Sequence, residues 1–213
     1  MERIQKSLLE VSDLSVSFRM YDSGLEQKQL PVISSLSLKV LPGEILAVAG
    51  SSGSGKSLLA SAILGILPGN ATVSGSLRFD GEPLTPERQA KLRGAEIALV
   101  PQSVAFLDPL MKVGAQVDGH RKPRPTERRR KLFRRFGLPE QTERLYPFQL
   151  SGGMARRVLV STALLTSARL IIADEPTPGM SLEQAEEALA MFRAMADEGK
   201  GVVLITHDID LAF

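Results

Sequence analysis

The sequence predicts an α/β fold in which a mainly parallel core sheet is joined to an antiparallel β layer and interrupted by a helical insertion. Three observations carry this. "EILAVA", then "GSSGSGKS", then "SLLASAILGIL" read as strand, glycine-rich loop and helix. From Gly152 onward helical stretches alternate with short apolar runs, the order that builds parallel strands. Ahead of the glycine loop, "SLSLKV" alternates with period two, as a strand with one covered face does.

Taken in order, "LLEVSDLSVSF" and "LPVISSLSLKV" are two strands around a polar turn, and "LPGE" leads into the strand before the glycine loop. The helix after the loop runs on apolar residues at helical spacing until Pro68 and Gly69 stop it. "TVSGSLRFDGEPL" is a hairpin with Asp80-Gly81 at its tip. "EIALVPQ" is a buried strand ended by Pro101, and residues 103–150, charged and punctuated by prolines, form an inserted helical subdomain. Residues 1–102 and 151–213 then make the core of one domain spanning 1–213, the second part reading helix, strand "LIIADE", helix "SLEQAEEALAMFRAMADEG" and strand "VVLITH".

Composition bounds the function. A chain of 213 residues holds one sizeable α/β domain and is too short for two. With no cysteine it has no disulfide framework, thiol chemistry or cysteine–zinc site, which suits a reducing cytoplasm. "MERIQKSLLEVSDL" has no signal-peptide core, and no run approaches a spanning helix, so the chain is not expected to cross a membrane itself. The net charge is +2, but "RKPRPTERRRKLFRR" sets nine basic residues against Glu127. This stretch reads as the solvated face of a helix from Thr126 to Gly137 with Leu132, Phe133 and Phe136 turned inward; with two Phe as its aromatics, no nucleic-acid partner is expected.

"GSSGSGKS" fits G-x-x-x-x-G-K-[ST], with Gly50, Gly55, Lys56 and Ser57 in the required places. The loop Gly50, Ser51, Ser52, Gly53, Ser54, Gly55 turns its N–H groups toward one point at a helix N-terminus, a site for nucleotide phosphate. Lys56 reaches the β- and γ-phosphates and the Ser57 hydroxyl ligates Mg²⁺. "LIIADEP" delivers Asp174 and Glu175 to a strand's C-terminal end, where ligands gather in parallel sheets. Asp174 would hold the Mg²⁺ through a water, and Glu175 would accept a proton from the water attacking the γ-phosphate. In "LSGGM", Ser151, Gly152 and Gly153 open another helix and form a second anion site, which points to a composite site shared between two copies.

"GSSGSGKS", Gln102 in "LVPQ", "LSGGM", "LIIADEP" and His207 in "LITHD" together resemble the ATPases of ABC transporters, a branch of the P-loop NTPases. "FLDPLMKVG", "YPFQLSGGM" and "EPTPG" resemble the branch energising bacterial nickel and oligopeptide importers. The resemblance implies a head-to-tail dimer, with itself or a second cassette subunit, enclosing two ATP molecules, each between one subunit's glycine loop and the other's LSGGM. It implies that the motor sits peripherally on the cytoplasmic face of the membrane against permease subunits, which receive cargo from a substrate-binding protein. It places Phe18 where an aromatic stacks on adenine, with Tyr21 as the substitute, makes Gln102 the sensor of Mg²⁺ and the attacking water, and makes His207 the contact to the γ-phosphate. After "EPT" relatives often read Ser-Ala-Leu-Asp, whereas here Pro178, Gly179, Met180 and Ser181 stand, so that Ser181 can cap the next helix with Gln184 but brings no charge across a dimer. This departure leaves a catalytically weak partner in a heterodimer as the alternative; a soluble ABC ATPase acting on nucleic acid is a third reading, supported by the basic stretch alone. Relatives also continue beyond the position of Phe213, so the cassette is expected to be C-terminally truncated and "VVLITH" to lose part of its cover and expose a strand edge.

Overall fold

A computed structural model describes residues 6–21, 27–51, 53–119 and 126–207. It contains two four-stranded sheets. Strands β1 (Leu9–Tyr21), β2 (Gln27–Val40), β4 (Ala71–Phe79) and β5 (Glu82–Pro83) form the antiparallel layer in the order β2-β1-β4-β5. Strands β3 (Ile45–Ala49), β6 (Ile97–Val100), β7 (Leu170–Asp174) and β8 (Gly201–Thr206) form the parallel sheet in the order β3-β8-β7-β6.

Helix α1 (Lys56–Leu64) follows the glycine loop, α2 (Pro86–Leu92) follows the β4–β5 hairpin, α3 (Val113–Asp118) and α4 (Thr126–Arg135) lie between β6 and the LSGGM stretch, and α5 (Gly152–Leu164) and α6 (Leu182–Asp197) flank β7. The parallel strands divide their side chains by period two between two cores, as expected of strands covered on both faces. Leu170, Ile172, Val203 and Ile205 face α1 and the antiparallel layer, while Ile171, Ala173, Val202 and Leu204 face the residues of α5 and α6. Phe133 and Phe136, from α4 and its end, join this second core with Leu132, so the inward face read from the sequence is the observed one.

Several expectations change. α1 ends at Leu64, before Pro68 and Gly69, because Gly65 takes a left-handed conformation (φ 64°) and returns its N–H to Ala62 and Ser61. The "VVLITH" strand does not expose an edge: β8 lies between β3 and β7 and is buried along its whole length, whereas β3 is the half-exposed strand. Helix α2, capped by the Thr85 side chain, has no counterpart in the sequence reading. The basic helix is also not wholly solvated, since Arg129 is buried and paired with Asp118 and with Glu143 at 2.8 Å. The expected hairpin is present, with Phe79 opposite Glu82 and both Asp80 (φ 53°) and Gly81 (φ 78°) left-handed at the tip.

Candidate nucleotide site

The site is built by register. In the parallel sheet Ala49 pairs with Thr206, Asp174 with Ile205 and Val100 with Ala173. All four strands therefore end at one level and deliver the glycine loop from β3, His207 from β8, Glu175 from β7 and Gln102 from β6 to the same edge. A cavity of about 310 Å³ opens there, lined among others by Gly53, Gly55, Lys56, Ser57, Gln102 and the two acids.

The loop needs its glycines. Gly55, at the entrance of α1, has φ 86°, and a Cβ there would come within 2.9 Å of Val32 Cγ1. Lys56 turns back over the loop and donates to the carbonyls of Gly50 and Ser51, both at 2.7 Å, with the Ser54 hydroxyl at 3.4 Å. Its ammonium thus already hangs where a phosphate would gather the loop N–H groups. Ser52 lies outside the described residues.

The acids carry the signs of a functional site. Asp174 and Glu175 are both buried, and Glu175 holds a left-handed backbone (φ 48°), a conformation costing on the order of 1–3 kcal/mol in a residue with a side chain. The Glu175 N–H donates to Ile205 O at 2.9 Å, which fixes that turn against β8. His207 Nδ1 lies 2.7 Å from Glu175 Oε1, leaving Glu175 Oε2 buried without a partner among the described residues. Burial pushes the Asp174 carboxyl above its ordinary range and the Glu175 charge adds to this, while a hydrogen bond from Ser57 and the charges of Lys56 and Arg156 pull it down.

Whether this set suits a divalent cation is tested by its donors. The Ser57 hydroxyl meets the Asp174 carboxylate, Asp174 Oδ1 is buried without a partner among the described residues, and Gln102 lines the same cavity. These are hard oxygen ligands in the small number that Mg²⁺ takes from protein when phosphates supply others, so the residues fit the ion.

The remaining candidates stand elsewhere. Ser151 caps α5, its hydroxyl accepting from the Met154 N–H, and neither it nor Gly152 or Gly153 is among the residues lining the glycine-loop cavity. Gly153 instead faces the 178–181 loop: a Cβ on it would meet the Gly179 carbonyl at 2.9 Å. Ser181 and Gln184 form the expected reciprocal cap of α6. Phe18 is half-buried on β1, opposite Leu30 and Ala71, and packs on the core beneath the antiparallel layer. The side chain of Tyr21 lies outside what the structure describes.

Sequence reasoning missed Arg156. Its guanidinium is buried, donates to Pro101 O at 3.1 Å and to Gln102 O, and exerts its charge on Asp174 and Glu175. Arg157, also buried, donates to Phe136 O at 2.6 Å and Gly153 O at 3.1 Å. The available signal was the sequence "MARRVLV", where apolar residues on both sides of the arginines mark a helix buried nearly all round.

Comparison with known proteins shows the family. A family model described as ABC transporter matches residues 33–178. The oligopeptide transport ATP-binding protein OppD of Lactococcus lactis subsp. cremoris is 35% identical over 96% of this chain and 63% of that protein. The macrolide export ATP-binding/permease protein MacB of Syntrophobacter fumaroxidans is 36% identical over 96% of this chain and 29% of that protein. Among solved structures, the dimeric ABC transporter cassette MJ0796 matches with a TM-score of 0.82 and 25% identity, covering 96% of this chain and 90% of that one. The chain therefore spans just under two thirds of OppD's length. The matched segment contains the glycine loop, Gln102, the Ser151–Gly153 helix start and the acid pair, and the chain belongs to the ABC transporter ATP-binding family.

Proposed function

We propose that the chain is the ATP-binding and hydrolysing motor subunit of a bacterial ABC importer whose cargo is a peptide or a nickel-type complex. The observation that carries the reading is the convergence at one sheet edge of Lys56, Ser57, Gln102, Asp174, Glu175 and His207, six residues from four separate stretches of the chain. OppD's likeness supports peptide import, while MacB is by its name an exporter at similar identity. "FLDPLMKVG", "YPFQLSGGM" and "EPTPG" favour the importer.

In this reading Lys56 and the loop N–H groups bind the ATP phosphates, and Phe18 supports the adenine. Ser57, Asp174 and Gln102 would hold Mg²⁺, which when bound neutralises charge between the β- and γ-phosphates. Glu175 acts as base through Oε2, the oxygen that His207 leaves unpaired, and accepts a proton from the attacking water. His207 holds the other oxygen and orients the carboxylate toward the γ-phosphate. Ser151, Gly152 and Gly153 read the phosphates of a second cassette's ATP in a head-to-tail dimer.

Residues 103–150 act as the helical subdomain that meets permease subunits at the cytoplasmic face of the membrane. Exposed Phe106, Leu110 and Met111, with Phe148 just before α5, give that contact its apolar side chains. No described helix is long and apolar enough to cross a membrane.

Ser151→Arg tests the shared site: it should abolish turnover while ATP binding to the isolated chain persists, and mixing it with Lys56→Ala should restore at most one composite site. Equal loss of ATP binding in both variants overturns the geometry.

The second reading, a weak partner in a heterodimer, rests on the 178–181 loop. Met180 packs on the core and the Ser181 side chain is engaged in its own helix cap, so neither supplies an acid to a partner. A chain that hydrolyses ATP only when mixed with a second, different cassette favours this reading.

A further inference from the structure

We propose that the groove between α4, the end of α5 and α6 binds a small amphiphilic anion, a carboxylate or phosphate head on a short apolar body. The basic stretch singled out in the sequence finds no use in ATP chemistry, and the structure turns part of it into a pocket. A cavity of about 340 Å³ has four cations, Arg128, Lys131, Arg135 and Lys200, and one acid, Glu198, among its lining residues, within the size range of small-ligand sites.

These cations are unevenly matched. Arg135 is neutralised by Glu187, its Nε 2.7 Å from Oε1. Arg128 and Lys131 make no ion pair among the described residues, and Lys200 meets only the outer limit of one, 4.0 Å from the exposed Glu198. Lys200 is also drawn down from the surface, its side chain 19% exposed and its Nζ 3.4 Å from Thr166 O. Burial lowers its pKa, Glu198 opposes this, and the like charge of Arg128 lowers it further. An anion placed between Arg128 and Lys200 would relieve that repulsion.

The floor selects the rest of the ligand. Leu132, Leu165, Met191 and Met195 lie beneath the charged rim, and methionines adapt to ligands of differing shape. A bare phosphate would leave this floor uncovered, and among the described residues no aromatic side chain lines the groove to stack a base. A charged head with an apolar body of a few carbons satisfies both layers. Since α4 belongs to the segment between β6 and α5 while α6 and Lys200 belong to the core, the bound molecule would bridge the two.

The test is calorimetric titration of the full chain with octyl phosphate below its micellar concentration, beside octyl glucoside and inorganic phosphate. Arg128→Gln/Lys131→Gln, two surface changes outside the nucleotide site, is titrated in parallel. Octyl phosphate should bind saturably, unaffected by Mg²⁺ and ATP, and about tenfold or more tighter than either control, the scale of one charge-assisted hydrogen bond. The double variant should lose a similar factor while keeping its ATP affinity. Equal binding of octyl glucoside, equal binding by the variant, or displacement by ATP overturns the proposal. Binding only to vesicles of anionic phospholipid, with none of the free amphiphile, overturns it in favour of a membrane contact.

Discussion

The guanidinium of Arg156, in the first turns of α5, donates to the main-chain carbonyl of Gln102, the residue that follows β6 and Pro101 into the nucleotide cavity. The helix that begins with Ser151 is thereby tied to the segment bearing Gln102 by a buried charge rather than by packing alone.

Arg156→Met should separate stability from turnover. Removing the arginine discards two hydrogen bonds but also a buried charge, so the melting free energy should change by no more than about 1–2 kcal/mol. With the Gln102 segment no longer held, hydrolysis should fall by about tenfold or more while ATP affinity is kept. Thermal melting, nucleotide binding and steady-state kinetics on one preparation check this; unchanged turnover shows that the tether plays no part.

Glu143 should make stability depend on acid. Hydrogen bonds from Arg130 and Arg129 hold its pKa down, from the ordinary 4.5 to about 2. A depressed carboxylate contributes stability that is present above pH 4.5 and is lost as pH falls toward 2. Glu143→Gln should thus melt lower than the parent at pH 7, and the gap should close on acidification. Parallel melting curves from pH 7 to 3 would contradict the ion-pair cluster.

Gln89 should be coupled to Gly65. The Gln89 amide donates to Ala62 O at 2.8 Å and Ile63 O at 3.1 Å, closing the end of α1, and a Cβ on Gly65 would fall 2.2 Å from its Oε1. Gln89→Ala should cost about 1–3 kcal/mol, since Ile63 O loses its donor while Ala62 O keeps the Gly65 N–H. Gly65→Ala should cost at least about 1 kcal/mol through its left-handed backbone and the displaced amide. The double variant should lose less than the two losses added together, because the clash is then gone. Strict additivity in chemical denaturation would show that the two do not share one contact.

Most of the site was legible because its residues lie in contiguous motifs tied to strand ends. Lys56, Ser57, Asp174 and Glu175 announce themselves by spacing, and the common register of the parallel strands then brings them to one edge. The Ser181–Gln184 cap was readable for the same reason, being entirely local. What escaped is long-range: the Gln89 contact to α1, the Arg129 cluster and the Arg156 tether join residues up to 55 positions apart. The buried course of β8 escaped too, since its cover depends on which strands flank it, and strand order is not written in any one strand.

The most direct test of the central claim is Glu175→Gln, measured for nucleotide binding and hydrolysis in the assembled transporter. Lys56 and Ser57 are untouched by the change, so ATP affinity should stay within about twofold, while turnover should fall at least ~10²-fold, the loss expected for a general base. ATP should then remain trapped between two cassettes. Hydrolysis at the parental rate would show that Glu175 Oε2 is not the base and that the acid pair serves only to hold the site together.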